Sequence, residues 1–546
     1  MRLVSDVDVR GRKMFCNKCG KEITEEDEFC GFCGARHHLG NAVTTPKPKE
    51  KNILLLWIVL CISFTFAIVT GAVMLVLIHN GKWKETIATS EAYINDAEVE
   101  NVTEDADEII EEIEEDEEEE YSLLVCVPAD FMSLRNSPGL GDDVIAELKA
   151  GTYLKWYEEA VIEDDREFYK VTVRDSGQEG YVSAQFCVKV EFEADENELN
   201  VVEVDTAIYT YDMMVDDIEE LCNRYPDRLM YNVIGVSADG RSIYEVILGN
   251  PNADNHIMMQ AAIHGREYMT AQLVMKLLEY YSYYYEIAEY EGVSYQELFS
   301  NTAVHIVPMT NPDGVTISQL GVSALNDSYY ADVVYGCYER DKWTLSYEED
   351  ANGDMNWNDY YRQENYNREA AGHTREITFE EYQTIWKANA NGVDLNNNFD
   401  AGWENVELKK NPAYGSFKGY YPVSEPESQA LVSLALEYDY KCFISYHCRG
   451  QLIYFDVAGN TPENSEASAN FADYLSNWIK YKPVNTKGGY NVNLGGFGDW
   501  VQLYLNKPSV TIENGKKPCP LEIEEFPAIW YRHREVWAML CKQFYN

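Results

Sequence analysis

The sequence predicts a multidomain chain: a small metal-bound module, one membrane-spanning helix, a small all-β barrel and a large C-terminal α/β domain. Three observations predict it. Two C-x2-C pairs lie ten residues apart near the N-terminus, 26 consecutive uncharged residues run from 53 to 78, and β-type and helical segments alternate from about residue 200 onward. At 546 residues the chain is also too long for one ordinary core.

The first element is "FCNKCGKEITEEDEFCGFCG". Cys16, Cys19, Cys30 and Cys33 supply four thiolates, the complement of tetrahedral Zn²⁺, and a glycine follows the second cysteine of each pair, where the backbone must turn sharply. Bound zinc provides the folding energy that so short a module lacks. The stretch, taken as 14–38, resembles the zinc ribbons at the N-termini of many bacterial membrane proteins. Its "MFCxxCG" opening suggests that translation starts at Met14.

The 53–78 segment is long enough to span a bilayer. It is too long and too far from the N-terminus for a removable signal peptide. Lys47, Lys49 and Lys51 precede it and only Lys82 and Lys84 follow closely, so the ribbon is expected in the cytoplasm and the remainder outside a bacterial cell membrane. The ribbon would then have a cytoplasmic partner that the sequence does not identify. Residues 79–120 read as a linker, because thirteen of the seventeen residues in 104–120 are acidic and repel one another. The net charge is -49, and removing that block still leaves it at -36, so nucleic acid is excluded as a partner.

Residues 121–191 carry short alternating runs broken by turn signals, the pattern of a small all-β barrel. Leu134-Arg135, Pro138, Leu148–Gly151, Tyr169-Lys170-Val171 and Gly180-Tyr181-Val182-Ser183 resemble the bacterial SH3-like domain, which implies contact with peptidoglycan, although a spacer role is open. Cys126 and Cys187 flank this domain and are a candidate pair. The other distal cysteines are too irregularly spaced for a disulfide framework.

From 200 to 546, "SIYEVILG", "HIMMQAAI", "AVHIVPM", "KCFISYH" and "SVTIE" read as buried strands. "TAQLVMKLLEYYSYYYEI" reads as a helix, "SEPESQALVSLALEY" as a capped helix and 522–544 as a final helix. This alternation predicts a mixed sheet with helices on both faces. Residues 323–385 interrupt it as a Tyr/Asn/Asp-rich insertion without clear periodicity.

Nine histidines are present, and two of them end predicted strands: His264 closes "MMQAAIH" and His447 closes "KCFISYH". Ligands of open α/β sheets bind just outside the carboxyl ends of strands. Glu267, one turn after His264, completes a His₂Glu set, a donor group used by catalytic zinc. His305, inside "AVHIVPM", reads as a satisfied core histidine.

Residues 205–546 resemble the zinc metallocarboxypeptidase (carboxypeptidase A) superfamily. "HGRE" at 264–267, "NPDG" at 311–314, "GVDLNNNF" at 392–399, His447, "GGFGDW" at 495–500 and "PSVTIENG" at 508–515 follow the family order. "WKANANGVDLNNNFDAGWE", "GYYPVSEPESQAL" and "SYHCRGQLIYF" point within it to the bacterial γ-D-glutamyl-L-diamino-acid peptidases. The resemblance implies zinc on His264, Glu267 and His447, Glu513 as general base and acid, and substrate contacts from Arg266, Asn396 and Tyr490. It implies hydrolysis of amide bonds in peptidoglycan stem peptides, with other peptides, or binding of wall fragments without turnover, as alternatives.

Two departures bear on this. Asn397 stands where the family keeps the arginine that grips a terminal carboxylate, and Asn391 where an arginine is common before "GVDLN". Losing a guanidinium removes bidentate recognition of a carboxylate, which disfavours strict C-terminal exopeptidase action. Arg449 is a candidate replacement for electrostatic stabilisation. Gly498, at the family's pocket position, is uncharged, so no acid there selects a lysine-like side chain. Cys448 is not expected to act as a nucleophile.

Overall fold

The computed structural model describes residues 121–546, except 142, 343–344, 350–354, 360–376, 407, 488–494 and 546, together with the paired strands Met14–Phe15 and Glu22–Ile23. The four ribbon cysteines, the 53–78 segment, the acidic linker and Tyr490 lie outside the described residues. Among the described residues no helix is long and apolar enough to cross a membrane.

Residues 116–546 form one compact unit that holds both the small β domain and the large α/β domain. The small domain is a seven-stranded antiparallel sheet. Its strands are β1 (Ser122–Cys126), β2 (Met132–Arg135), β3 (Val144–Leu148), β4 (Tyr153–Glu163), β5 (Arg166–Val173), β6 (Glu179–Ser183) and β7 (Cys187–Lys189), in the spatial order β3-β2-β6-β5-β4-β1-β7. Leu124, Leu134, Leu154, Val171 and Val182 turn inward to one core, the period-two pattern of a half-buried strand. Cys126 and Cys187 face each other across β1 and β7 as direct register partners; both thiols are free and buried.

The large domain is built on an eight-stranded mixed sheet. Its strands are β8 (Leu229–Val236), β9 (Ser242–Leu248), β10 (Asn255–Ala261), β11 (Thr302–Val307), β12 (Tyr440–Cys448), β13 (Leu452–Phe455), β14 (Lys482–Asn485) and β15 (Ser509–Asn514). The spatial order is β8-β9-β11-β10-β12-β15-β13-β14. The central strands β11, β10, β12 and β15 run parallel, so both their faces need covering and their sequences are nearly all apolar. Ile257, Met259, Ile444 and Tyr446 pack into one core with helices α1 (Tyr211–Arg224), α2 (Met269–Tyr283), α8 (Pro462–Ile479), α10 (Phe526–His533) and α11 (Val536–Phe544). Met258 and Phe443, one residue out of phase, pack into the other with α7 (Pro426–Ala435) and α9 (Phe497–Trp500).

The remaining helices are α3 (Tyr295–Asn301), α4 (Pro312–Leu320), α5 (Ser328–Asp341) and α6 (Phe379–Thr384). The described residues of the 323–385 insertion form regular elements. The insertion contains α5, started by the Asp327 side chain on the Tyr329 amide, a hairpin of Leu345–Glu349 with Met355–Asp359, and α6. Helix α7 lacks the expected side-chain cap; Pro426 at its first turn sets the start, and the Glu425 carboxylate reaches away to Asn389 and Asn391. The final segment is two helices, α10 and α11, broken at Arg534-Glu535, because both side chains turn inward to the small domain.

That contact is made of buried charge. Arg532 donates to the Val127 carbonyl, Arg534 donates to the Tyr153 hydroxyl and to Glu196, and Glu535 accepts the amides of Glu191 and Phe192. His305 is a core histidine, held between Glu245 (2.7 Å) and His256 (2.9 Å).

Candidate active site

Three neighbouring parallel strands deliver the site. His264 follows β10, His447 is the penultimate residue of β12, and Glu513 on β15 is its register partner. The chain reverses after β10 through Ala262, held at φ 48°, and enters a short 3₁₀ turn, Gly265–Glu267. Gly265 has no room for a side chain, since a Cβ would run into the Gly314 carbonyl. Asn311 fixes this packing. Its Oδ1 accepts the Gly314 amide, and its Nδ2 donates to the carbonyls of Ile263 and Ala388. The "NPDG" motif therefore serves as the clamp for the loop that carries His264.

His264, Glu267 and His447 converge, with one potential ligand atom from each lying within 4.8 Å of the others. Nδ1 of His264 is 2.8 Å from Glu267 Oε1, and Nδ1 of His447 is 3.1 Å from Oε2, which also accepts the Cys448 amide. The His264 Nε2 lies 3.2 Å from Asp394 Oδ1, close enough for an ion pair though not aligned as a straight hydrogen bond. Two buried imidazoles that aim the same nitrogen at one carboxylate form a nitrogen–oxygen donor set suited to a small divalent cation. A proton on the far nitrogen, facing Asp394, would leave Nδ1 for a metal. The residues therefore fit zinc.

Burial works against the charge on Glu267, but the two imidazoles more than offset it and hold the carboxyl well below its usual range. Burial likewise disfavours a charged His264, and the Glu267 and Asp394 carboxylates reverse that to raise it. Glu513 is pushed up to about 7 by burial and by Glu267, against the pull of His447, Lys387 and Arg266. A carboxyl poised near neutrality beside the metal position can both take and give a proton.

A cavity of about 700 Å³ opens from His264, His447 and Glu513. Its walls include Lys387, Asn396, Asn397, Gly498, Thr511 and Asp456. Asn396 also accepts the Phe497 amide at 3.1 Å, which ties "GVDLNNNF" to "GGFGDW". Arg266 lies near enough to act on Glu513, and its buried Nε has no hydrogen-bond partner among the described residues. Arg449 is not on the cavity wall; its guanidinium donates to the Lys516 carbonyl. Lys387 does line the cavity, and its charge acts on His264, Asp394 and Glu513. Asn391 is turned to Glu425. Cys448 is buried, and that burial raises its thiol well above the ordinary value, away from a nucleophilic role.

Gly498 is uncharged as expected, yet the cavity does hold acids. Asp499 closes the local turn by accepting the Gly496 amide, and burial raises it to about 7. Asp456, from the end of β13, is 4% exposed; burial opposes its charge, but Ser465, Asn460 and the Val457 amide keep its carboxyl below the usual range. The sequence reading missed Lys387, Asp394 and Asp456. The first two sit inside the quoted "WKANANGVDLN", where the spacing to Asn396 was the available signal.

A zinc carboxypeptidase family model matches residues 214–534, a bacterial SH3 domain model 130–187 and a zinc-ribbon model 15–36. Gamma-D-glutamyl-L-diamino acid endopeptidase 1 of Lysinibacillus sphaericus is 27% identical over 325 residues, which cover 59% of this chain and 69% of that protein. The uncharacterized protein YqgT of Bacillus subtilis (strain 168) is 30% identical over 326 residues, 59% of this chain and 74% of that protein. Among solved structures, the murein-tripeptide amidase MpaA of Escherichia coli O157 aligns at 20% identity and a TM-score of 0.32, covering 57% of this chain and 91% of that one. With the family model spanning well over half of its length, the chain belongs to the zinc carboxypeptidase family of peptidases and joins that hydrolase domain to a zinc ribbon and a bacterial SH3 domain.

Proposed function

We propose that the protein is a membrane-anchored zinc peptidase that hydrolyses the amide bond between D-glutamate and the diamino acid of peptidoglycan stem peptides. The observation that carries this reading is the convergence of His264, Glu267, His447 and Glu513 on one polar cleft. The similarity to a γ-D-glutamyl-L-diamino acid endopeptidase supports the substrate class. His264, Glu267 and His447 would hold zinc, which would supply Lewis acidity to a water and to the scissile carbonyl. Glu513 takes the proton of that water and returns it to the leaving amine. Lys387 faces the charge that develops on the carbonyl oxygen, the task of an oxyanion donor. Arg266 and Asn396 hold the substrate near the reacting bond.

Asn397 gives the cleft wall a neutral amide, so the leaving residue need not end in a free carboxylate. That supports cleavage within a stem peptide. A second zinc in the ribbon, 53–78 as a single membrane span, the ribbon in the cytoplasm and the catalytic domain outside complete the reading. The docked SH3 domain then brings the cleft to the wall.

The test is incubation of the wild type and Glu513→Gln, both loaded with zinc, with defined muropeptides, and identification of the products by mass spectrometry. Cleavage between D-glutamate and the diamino acid by the wild type alone is expected. Bound zinc with no cleavage of any stem peptide overturns the assignment in favour of other peptides or wall binding without turnover.

A further inference from the structure

The small domain closes on its shortest strand. β7 has three residues, lies at the edge of its sheet and pairs only with β1. Yet these two strands, with the residues that follow them, carry the joint to the catalytic part. Val125, Val127, Val188 and Val190 cluster with Tyr531 of α10, while Leu124, Cys126 and Cys187 belong to the SH3 core. Arg532 donates to the carbonyl of Val127, directly after Cys126, and Glu535 accepts the amides of Glu191 and Phe192, shortly after Cys187.

Cys126 and Cys187 are register partners across this pair, and the ladder shows which kind of pair they make. The Val190 amide donates to the Leu123 carbonyl and the Val127 amide to the Phe186 carbonyl, so the hydrogen-bonded positions fall on the odd-numbered residues of β1. The Cys126 carbonyl and amide turn the other way, to Gly151 and Thr152, and the Cys187 amide donates to Ala184. The two cysteines therefore form a non-hydrogen-bonded pair, in which facing Cα atoms stand about 4.5 Å apart and the side chains approach most closely. A disulfide spans Cα separations of roughly 4.4–6.8 Å. Both residues are thiols in the structure, 0% and 1% exposed, and Cys187 Sγ makes only a loose 3.8 Å contact with the Ser183 carbonyl. Contact with Cys187, followed by burial, pushes the Cys126 thiol far above its ordinary value.

We propose that Cys126 and Cys187 are joined by a disulfide in the working protein, a covalent staple that holds edge strand β7 to β1 and so fixes the SH3 domain on the catalytic part. Forming it takes two protons and two electrons from the two thiols. One cysteine thiolate displaces half of an external disulfide, that of glutathione or of a thiol oxidoreductase. The second cysteine then displaces the other half, and the oxidant leaves as two thiols. Thiols this deeply buried are out of an oxidant's reach in the closed fold, so the exchange takes place before β7 closes or when it opens. That the chain meets such an oxidant rests on the reading above, which places this part of it outside the membrane.

The test uses the full chain, first in cells. The cells are quenched in acid, free thiols are alkylated in denaturant, and unreduced peptides are read by mass spectrometry. The peptides of Cys126 and Cys187 should be found joined. In parallel, the purified, reduced chain is held in a buffer of reduced and oxidised glutathione until its thiol content is constant. The same link should form, and hydrogen exchange over 123–127 and 186–190 should slow by roughly 30-fold or more, the factor that a disulfide of ordinary strength supplies. Cys187→Ser should form no link and exchange like the reduced wild type. Alkylated thiols in both experiments, or a link that leaves exchange unchanged, overturn the inference and leave the location outside the membrane standing. A link in the glutathione buffer with alkylated thiols in cells overturns that location, and the staple in the cell with it.

Discussion

Glu535 gives the fold a pH-dependent seam between its SH3 and catalytic parts. The residue is 2% exposed, accepts two amides of the segment leaving the SH3 sheet, and lies 3.7 Å from Arg534. Burial raises its carboxyl from 4.5 to about 7, although Arg534 and the two amides pull the other way. Between those values the folded chain holds a proton that the unfolded chain has released. Its contribution is therefore complete below pH 4.5 and is lost as pH rises through 7. From pH 5.5 to 8 the difference is about 1.5 pH units at 1.36 kcal/mol each, or about 2 kcal/mol. Glu535→Gln keeps one acceptor and stays neutral, so it removes this slope. The assay is urea unfolding of wild type and variant at pH 5.5, 6.5 and 8, with saturating zinc. Other titrations are common to both proteins and cancel in the difference. The stability of the variant relative to wild type should rise by about 2 kcal/mol across the range. A change below about 0.5 kcal/mol would mean that Arg534 keeps Glu535 charged in the fold, and the reasoning would fail.

Two further outcomes follow from the centre itself. Asp394→Ala should lower zinc affinity or turnover by about 10–100-fold, since it frees the His264 ring while leaving all three ligands in place; chelator competition reads this directly, and unchanged affinity together with unchanged turnover would deny Asp394 a positioning role. Lys387→Met should reduce kcat by about 10²–10³-fold with a smaller effect on KM, as expected for charge felt mainly in the transition state, whereas a pure KM effect would make Lys387 a ground-state binding group.

The residues legible in the sequence are those whose chemistry is local. "HIMMQAAIH" and "KCFISYH" announce buried parallel strands by their unbroken apolar runs, and the histidine at the end of each is conspicuous for the same reason. Glu513 stands out likewise as the one acid in "SVTIE". The proposed zinc ligands and the proposed proton-transfer group thus carry their own contrast with the surrounding sequence. The "WKANANGVDLN" stretch carries less. There Lys387 reads as an ordinary solvated lysine, and only the fold brings it beside Glu513.

Partners distant in sequence decide what remained hidden. Asp456 lies one residue beyond "LIYF", and nothing local separates it from a turn aspartate. Its place comes from the fold, which sets it on the same cavity wall as Ser509 of β15. "RHRE" at 532–535 reads as the polar face of a helix. Three of its side chains instead fasten the SH3 domain, more than 330 residues away, and His533 bonds Asn514 at 2.7 Å. Asn514 in turn donates to the His447 carbonyl. The same four residues therefore reach the docked domain directly and, through Asn514, the backbone of the strand that carries His447. Charge buried at this junction is not removed by a hydrophobic alternative, because each group holds a backbone amide or carbonyl that would otherwise be left unpaired. The SH3 domain is on this account a structural wall of the catalytic unit, not a tethered neighbour, and its orientation to the cleft is set by the fold.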